Sequence, residues 1–188
     1  MEKRLIAEGK FLRLVTVGRW EVAERVRANG VVIVVPRLDD GRWVLIEQTR
    51  PAVGGRSIEF PAGLSGDSIE DADELLSSAA IRELMEETGY QASDIYALGT
   101  ASSSPGVTSE IMTFFLATGL TKVTSGGGVG TEDIITHLVA DDEIDGWLKE
   151  RPKEALVSAM VLCGLFLARK YTHPSPGMNP TQRTKNRV

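Results

Sequence analysis

The sequence predicts an α/β (α+β) fold dominated by strands, and three observations carry that prediction. Short apolar runs rich in Val, Ile and Phe are punctuated by turn residues such as Gly18-Arg19 and Asp39-Asp40-Gly41. One helix-sized segment stops at Gly89, and two further helical stretches close the apolar part of the chain. With 188 residues the chain is long enough for one domain with a full core, or for a core domain plus a small appendage.

In chain order, residues 12–17 and 20–26 flank Gly18-Arg19 and predict a hairpin that stands apart from the core. Residues 31–36 and 43–47 flank Asp39-Asp40-Gly41 and predict a second hairpin. Leu76, Ala80 and Leu84 recur at helical spacing and give the next helix its apolar face. Strands are expected at 95–101, 111–118 and 134–139, and helices at about 142–149 and 154–171. The apolar run at 155–166 is shorter than a bilayer span and predicts a core or interface helix. The polar, proline-bearing tail from Thr172 to Val188 is expected to lack fixed structure. No internal repeat and no obvious linker is visible.

A net charge of −5 argues against a surface that wraps long nucleic acid, while small metal-complexed phosphates remain compatible. Cys163 is the only cysteine, so no disulfide forms within the chain, and its apolar neighbours predict a buried, inert thiol. Met1-Glu2-Lys3-Arg4 leads into only a short apolar stretch, so no secretory signal is expected. A cytoplasmic, membrane-free protein is the expectation. His137 and His173 have no metal-ligand spacing, and His137 within a strand is expected to be structural.

Chemistry concentrates in Arg82-Glu83-Leu84-Met85-Glu86-Glu87-Thr88-Gly89, with Glu74 two to three turns upstream. Helical geometry puts Glu83, Glu86 and Glu87 on neighbouring positions of one face, bordered by Arg82. Glutamate-rich helices are usually solvated faces. Here the opposite face is apolar and a stop glycine follows, so the glutamates are expected to form a metal platform. Oxygen ligands favour a hard divalent ion, Mg2+ before zinc, with Mn2+ as a substitute.

Upstream stands Glu59-Phe60-Pro61-Ala62-Gly63, and from Glu74 through Tyr90 the spacing resembles the signature of the Nudix hydrolases. The departure is the first glycine: Ser68 occupies its position, and Gly63 lies five residues too early. A five-residue insertion within residues 65–72, a polar stretch suited to a surface loop, accounts for the offset. The resemblance implies a Nudix-type α-β-α sandwich with a mixed sheet from residue 29 to 171. It also implies a small N-terminal β-sheet over residues 1–28 that acts as a dimerisation element, hence a homodimer.

Further features resemble the branch that cleaves ADP-ribose and other nucleoside diphosphate sugars. These are Glu47-Gln48-Thr49-Arg50-Pro51, the loop Pro105-Gly106-Val107-Thr108-Ser109-Glu110, and Glu132-Asp133 after a glycine-rich loop at 125–130. Pro105 also stands fifteen residues after Tyr90, as in that branch. The resemblance implies Glu83, Glu86, Glu87 and the Ala62 carbonyl as metal ligands, supported by Gly63 and Glu74. It implies Glu86, Glu132 and Arg82 as catalytic residues, with Glu132 either the base or a further metal ligand.

Substrate contacts are implied for Trp20, Glu21, Arg50, Pro105, Gly106 and Glu110. Each has a plainer reading: Trp20 could anchor a dimer interface, Arg50 a strand end, and Pro105-Gly106 a turn. The glycine run lacks the Gly-Lys-Ser/Thr ending of a P-loop and is expected to let a loop close over substrate. The activity so implied is Mg2+-dependent hydrolysis of the diphosphate of a nucleoside diphosphate sugar, ADP-ribose leading, to a nucleoside monophosphate and a sugar phosphate. The alternatives are hydrolysis of GDP-mannose or a nucleoside triphosphate, or a non-catalytic nucleotide-sugar sensor.

Overall fold

The computed structural model describes residues 1–66, 74–130, 132–151 and 154–171. The tail from Thr172 to Val188, His173 within it, and most of the expected insertion lie outside the described residues.

Strands β1 (Lys3–Glu8), β2 (Leu12–Val17) and β3 (Trp20–Arg25) form an antiparallel N-terminal sheet. The sequence suggested only a hairpin; β1 joins it because the 9–11 turn returns Lys3 to Val17 and Glu8 to Arg13. Two four-stranded sheets follow. One has the order β7 (Ala62–Ser65), β4 (Gly30–Pro36), β9 (Ile111–Lys122), β8 (Tyr90–Ser102), with β4 and β9 parallel and the other pairs antiparallel. The other has the order β10 (Ile135–Val139), β5 (Trp43–Arg50), β6 (Gly55–Glu59), β11 (Leu156–Val157). Helices α1 (Leu76–Thr88), α2 (Ile144–Glu150) and α3 (Ala159–Lys170) complete a mixed α+β fold.

Strand β4 shows how the layers arise. Its residues alternate between two cores, as strand geometry requires. Val32 and Val34 pack with Ala79, Ala80 and Leu84 of α1, while Val31, Ile33 and Val35 pack with Val161, Leu165 and Ala168 of α3. Helices therefore cover both faces of this strand, and its near-continuous apolar sequence follows from burial on both sides. Each such fully buried side chain contributes about 1.5–3 kcal/mol relative to exposure. Trp43, 1% exposed, is satisfied at its one polar atom by Asp141 Oδ1 at 2.8 Å.

Several expected boundaries move. The final helix starts at Ala159 rather than 154, because Leu156 and Val157 pair in parallel with Ser57 and Ile58 of β6. Ser158 then donates its N–H to Ile58 and accepts the Met160 N–H on its side chain, which caps α3. Strand β8 begins directly after Gly89 and runs through a register shift at Ala97/Gly99. Glu74 is not on the helix: the residue after it, Leu75, has extended backbone, so Glu74 reaches the site from the segment that precedes α1. Cys163 is partly buried and free. Among the described residues no helix is long and apolar enough to cross a membrane.

Candidate active site and metal centre

The last two turns of α1 and the strand β7 build the site. Arg82 is its organiser: its Nε and Nη2 reach the two carboxylate oxygens of Glu74, each at 3.2 Å. Its Nη1 reaches Glu83 at 2.8 Å and Glu86 at 3.3 Å, and Nη2 also donates to the Leu64 carbonyl at 3.1 Å. A planar guanidinium with a fixed fork of donors suits this role, since a lysine could not serve these directions at once. The Glu74 pairing, foremost, raises the Arg82 pKa further, so its charge is permanent.

Glu83 and Glu87 turn inward. Glu87 is 4% exposed and accepts one backbone hydrogen bond, from the Ala62 N–H at 3.0 Å. Burial pushes its carboxyl up to about 8, the neighbouring Glu83 and Glu132 adding to the rise and Ala62 and Arg50 opposing it. Burial likewise pushes Glu83 up to about 7, against the pull of Arg82. Glu83 lies flat over Gly63, where an added Cβ would fall 1.9 Å from its Oε1. The Gly63 expected as a supporting residue therefore meets Glu83 in space despite its offset in sequence.

The glycine-rich loop is bound to the end of the same helix. Gly89 closes α1 in the left-handed region at φ +71°, its N–H returning to Met85. Beyond β9, Gly127 donates to the Glu87 carbonyl at 2.9 Å and Gly128 to the Glu86 carbonyl at 3.0 Å. Gly126, at φ +69°, passes so close that a Cβ would fall 2.4 Å from the Thr88 carbonyl carbon. The glycines thus serve the helix terminus, a use the sequence reading did not anticipate. They lead to Glu132, whose Oε2 accepts the Val129 N–H at 2.7 Å. Arg50 forks onto Glu59 at 2.9 and 2.7 Å on the same side, and the charges of Glu87 and Glu132 reach it.

Among the described residues no three acidic, histidine or cysteine side chains already meet as a metal-binding group. Glu83 and Glu86 reach toward Arg82, and Glu87 toward the Ala62 N–H. The donor chemistry nevertheless fits a hard divalent cation. The carboxylates are oxygen donors crowded together, and two are desolvated enough to resist ionising without a further positive charge.

The NUDIX domain profile matches residues 26–160 of this chain. The chain belongs to the Nudix family. Its relatives include the methanol dehydrogenase activator of Bacillus methanolicus, 30% identical over 71% of this chain and 70% of that protein. The ADP-ribose pyrophosphatase of Mycobacterium tuberculosis is 38% identical over 53% of this chain and 46% of its own length. The chain thus spans about half the length of the second relative. A crystal structure of an ADP compounds hydrolase shares the fold, with TM-score 0.71 and 23% identity over 90% of each chain. The N-terminal sheet precedes the residues matched to the Nudix domain.

Within this Nudix chain, Glu74, Arg82, Glu83, Glu86, Glu87, Ala62 and Gly63 come together, and Arg50 and Glu132 border them. Trp20 and Glu21 do not: they stand by the β2–β3 turn, where Trp20 is 54% exposed with Arg19 over its ring at 5.9 Å. Pro105 and Gly106 lie in a turn joined to β3 through the Ala23 N–H and the Val107 carbonyl, and Glu110 pairs with Arg25 at 2.7 Å. Sequence reasoning missed Glu59 as the partner of Arg50. Its position three residues before Ala62, on the strand beside β5, was the available signal.

Replacing Gly63 with Ala is expected to push the Glu83 carboxylate aside, weakening divalent-cation affinity by about 10-fold or more. Titration calorimetry with Mg2+ and Mn2+ would measure this, with circular dichroism unchanged. A pH prediction follows from the two raised carboxyls. Their ordinary value is 4.5, so between there and about 8 the folded protein binds more protons than the unfolded chain. Stability of the metal-free protein therefore falls as pH rises through that window. Thermal melts from about pH 5 to pH 9 should show it, and Glu87→Gln should flatten the slope.

Proposed function

We propose that this Nudix hydrolase cleaves the diphosphate linkage of a nucleoside diphosphate sugar, with Mg2+ as its metal and ADP-ribose as the leading substrate. The observation that carries the reading is the buried Glu87 beside the half-buried Glu83, both with elevated carboxyl pKa values, set against Gly63 and the Ala62 backbone. Glu83, Glu86, Glu87 and the Ala62 carbonyl would hold the metal. When bound, Mg2+ neutralises nonbridging phosphate oxygens and stabilises the leaving phosphate.

The other roles fall to the chain itself. Arg82 keeps Glu74, Glu83 and Glu86 aimed, and its charge favours the ionised form of Glu83. Glu132, on its short loop beside the cluster, takes the proton of the attacking water at its carboxylate, with Glu86 next to that water. Arg50, fixed by Glu59, presents a guanidinium to the diphosphate. The products are a nucleoside monophosphate and a sugar phosphate. The names of the relatives support the substrate class, and the intact glutamates favour catalysis over ligand sensing.

Residues 1–28 are proposed as a dimerisation element. Every residue of β1 is exposed, and Trp20 stands by the β2–β3 turn with 54% of its surface exposed. A second copy would bring Trp20, Glu21 and the Pro105-Gly106 loop into substrate contact. Sedimentation equilibrium at micromolar concentration is expected to give twice the 20.4 kDa chain mass, and a monomer would overturn the element.

Product analysis with Mg2+ and separate ADP-ribose, UDP-glucose, GDP-mannose and dGTP, with an EDTA control, is expected to show metal-dependent cleavage of sugar-linked diphosphates. Cleavage of dGTP alone would overturn the substrate class. Replacing Glu87 with Gln should lower kcat on the order of 100-fold while the protein remains folded. Unchanged turnover would overturn the metal assignment.

A further inference from the structure

A second network of charges lies beside the site and touches none of the metal-binding carboxylates. Its centre is Arg56 on β6. The Arg56 guanidinium bonds the Glu47 side chain through Nε and the Glu47 carbonyl through Nη2 at 3.0 Å. On its other side, Nη1 reaches Asp133 Oδ2 at 2.9 Å and Nη2 the Asp133 carbonyl at 3.5 Å. Glu47 is itself braced by His137 Nε2 at 2.9 Å, and the His137 ring packs against Trp147 at 5.2 Å. Burial works against the Glu47 charge, yet Arg56 and His137 together keep its pKa below the usual carboxylate value.

Asp133 follows Glu132 directly, and the next residue, Ile134, is buried. Upstream, Gly127 and Gly128 are tied to the Glu87 and Glu86 carbonyls. Glu132 therefore stands between two clamps, one before it and one after it in the chain. One clamp is the backbone of the metal-binding glutamates, and the other is Arg56 with Asp133. From this geometry we infer that Arg56 and Asp133 are positioning residues that fix Glu132 against the glutamate cluster. The inference rests on the proposed role of Glu132 in proton transfer.

Such a role separates catalysis from stability. The Asp133 side chain is 75% exposed, so its ion pair adds little to folding. Its bond to Arg56 nevertheless sets where the neighbouring carboxylate stands, and a displacement of about 1 Å at a catalytic group is costly in rate. The substrate contacts proposed above include neither Arg56 nor Asp133, so KM should not follow.

The test is a double-mutant cycle on the full chain, with ADP-ribose and Mg2+, using Asp133→Ala, Glu132→Gln and the pair. Asp133→Ala is expected to lower kcat about 10-fold, with KM within about twofold of the parent and an unchanged melting temperature. Asp133→Asn, which keeps an acceptor oxygen for Arg56, should recover most of that loss. In the Glu132→Gln background, Asp133→Ala should cost less than about twofold, since the group it positions is gone. Parental kcat in Asp133→Ala, or a full loss repeated in the Glu132→Gln background, would overturn the inference. If Glu132→Gln alone retains parental kcat, the proposed role of Glu132 falls and this inference falls with it.

Discussion

Everything in the site depends on holding several carboxylates within reach of one another, and one guanidinium does most of that holding. Arg82 bonds Glu74 before the helix, Glu83 and Glu86 on it, and the Leu64 carbonyl on β7. These bonds cross from the helix to the strand and to the segment between them. Without that cation, like charges would splay the helix end away from β7, and the Gly63 surface would lose the carboxylate that lies on it. The arrangement leaves Glu83 and Glu87 under-compensated, because the Arg82 guanidinium cannot balance four carboxylates and, among the described residues, Glu87 accepts its hydrogen bond from the Ala62 backbone. Stored repulsion of this kind is what a divalent cation relieves.

Backbone geometry sets the second level of control. Gly63 lets a carboxylate lie on a strand with no side chain between them, while Gly89 and Gly126 let two chain segments meet with hardly any separation. The carbonyls that end α1 are thereby consumed by Gly127 and Gly128 of the loop rather than by water. The loop that carries Glu132 is thus registered to the same turn of helix that carries Glu86 and Glu87. The groups proposed for proton transfer and for metal binding share one frame, and the Arg56 network extends that frame into β5 and β6.

Much of this was legible in the residues. The β4 strand, the apolar face of α1 and the Gly89 stop follow from local rules, and each took its expected place. The glutamate motif was legible for the same reason, since helix spacing converts directly into proximity. What local rules could not supply were pairings between distant segments. The β11 pairing that delays α3, the recruitment of β1 and the departure of Glu74 from the helix each depend on a partner far away in sequence. The Arg50 and Glu59 fork belongs to the same class, because it joins two strands whose register sets Arg50 opposite Gly55 and Glu59 opposite Ile46.

The sequence by itself therefore determined the fold class, the carboxylate-bearing helix face and the kind of ion its oxygens favour, all consequences of short-range spacing and donor chemistry. Only the tertiary structure decided that Glu83 and Glu87 are desolvated, because burial is a property of the assembled layers. It also decided that Gly127 and Gly128 of the glycine run bond the carbonyls at the end of α1. Within one chain, Trp20, Glu21, Pro105, Gly106 and Glu110 stay with the N-terminal sheet and its docking loop, since hydrogen bonds through Ala23 and the Arg25 pair hold them there.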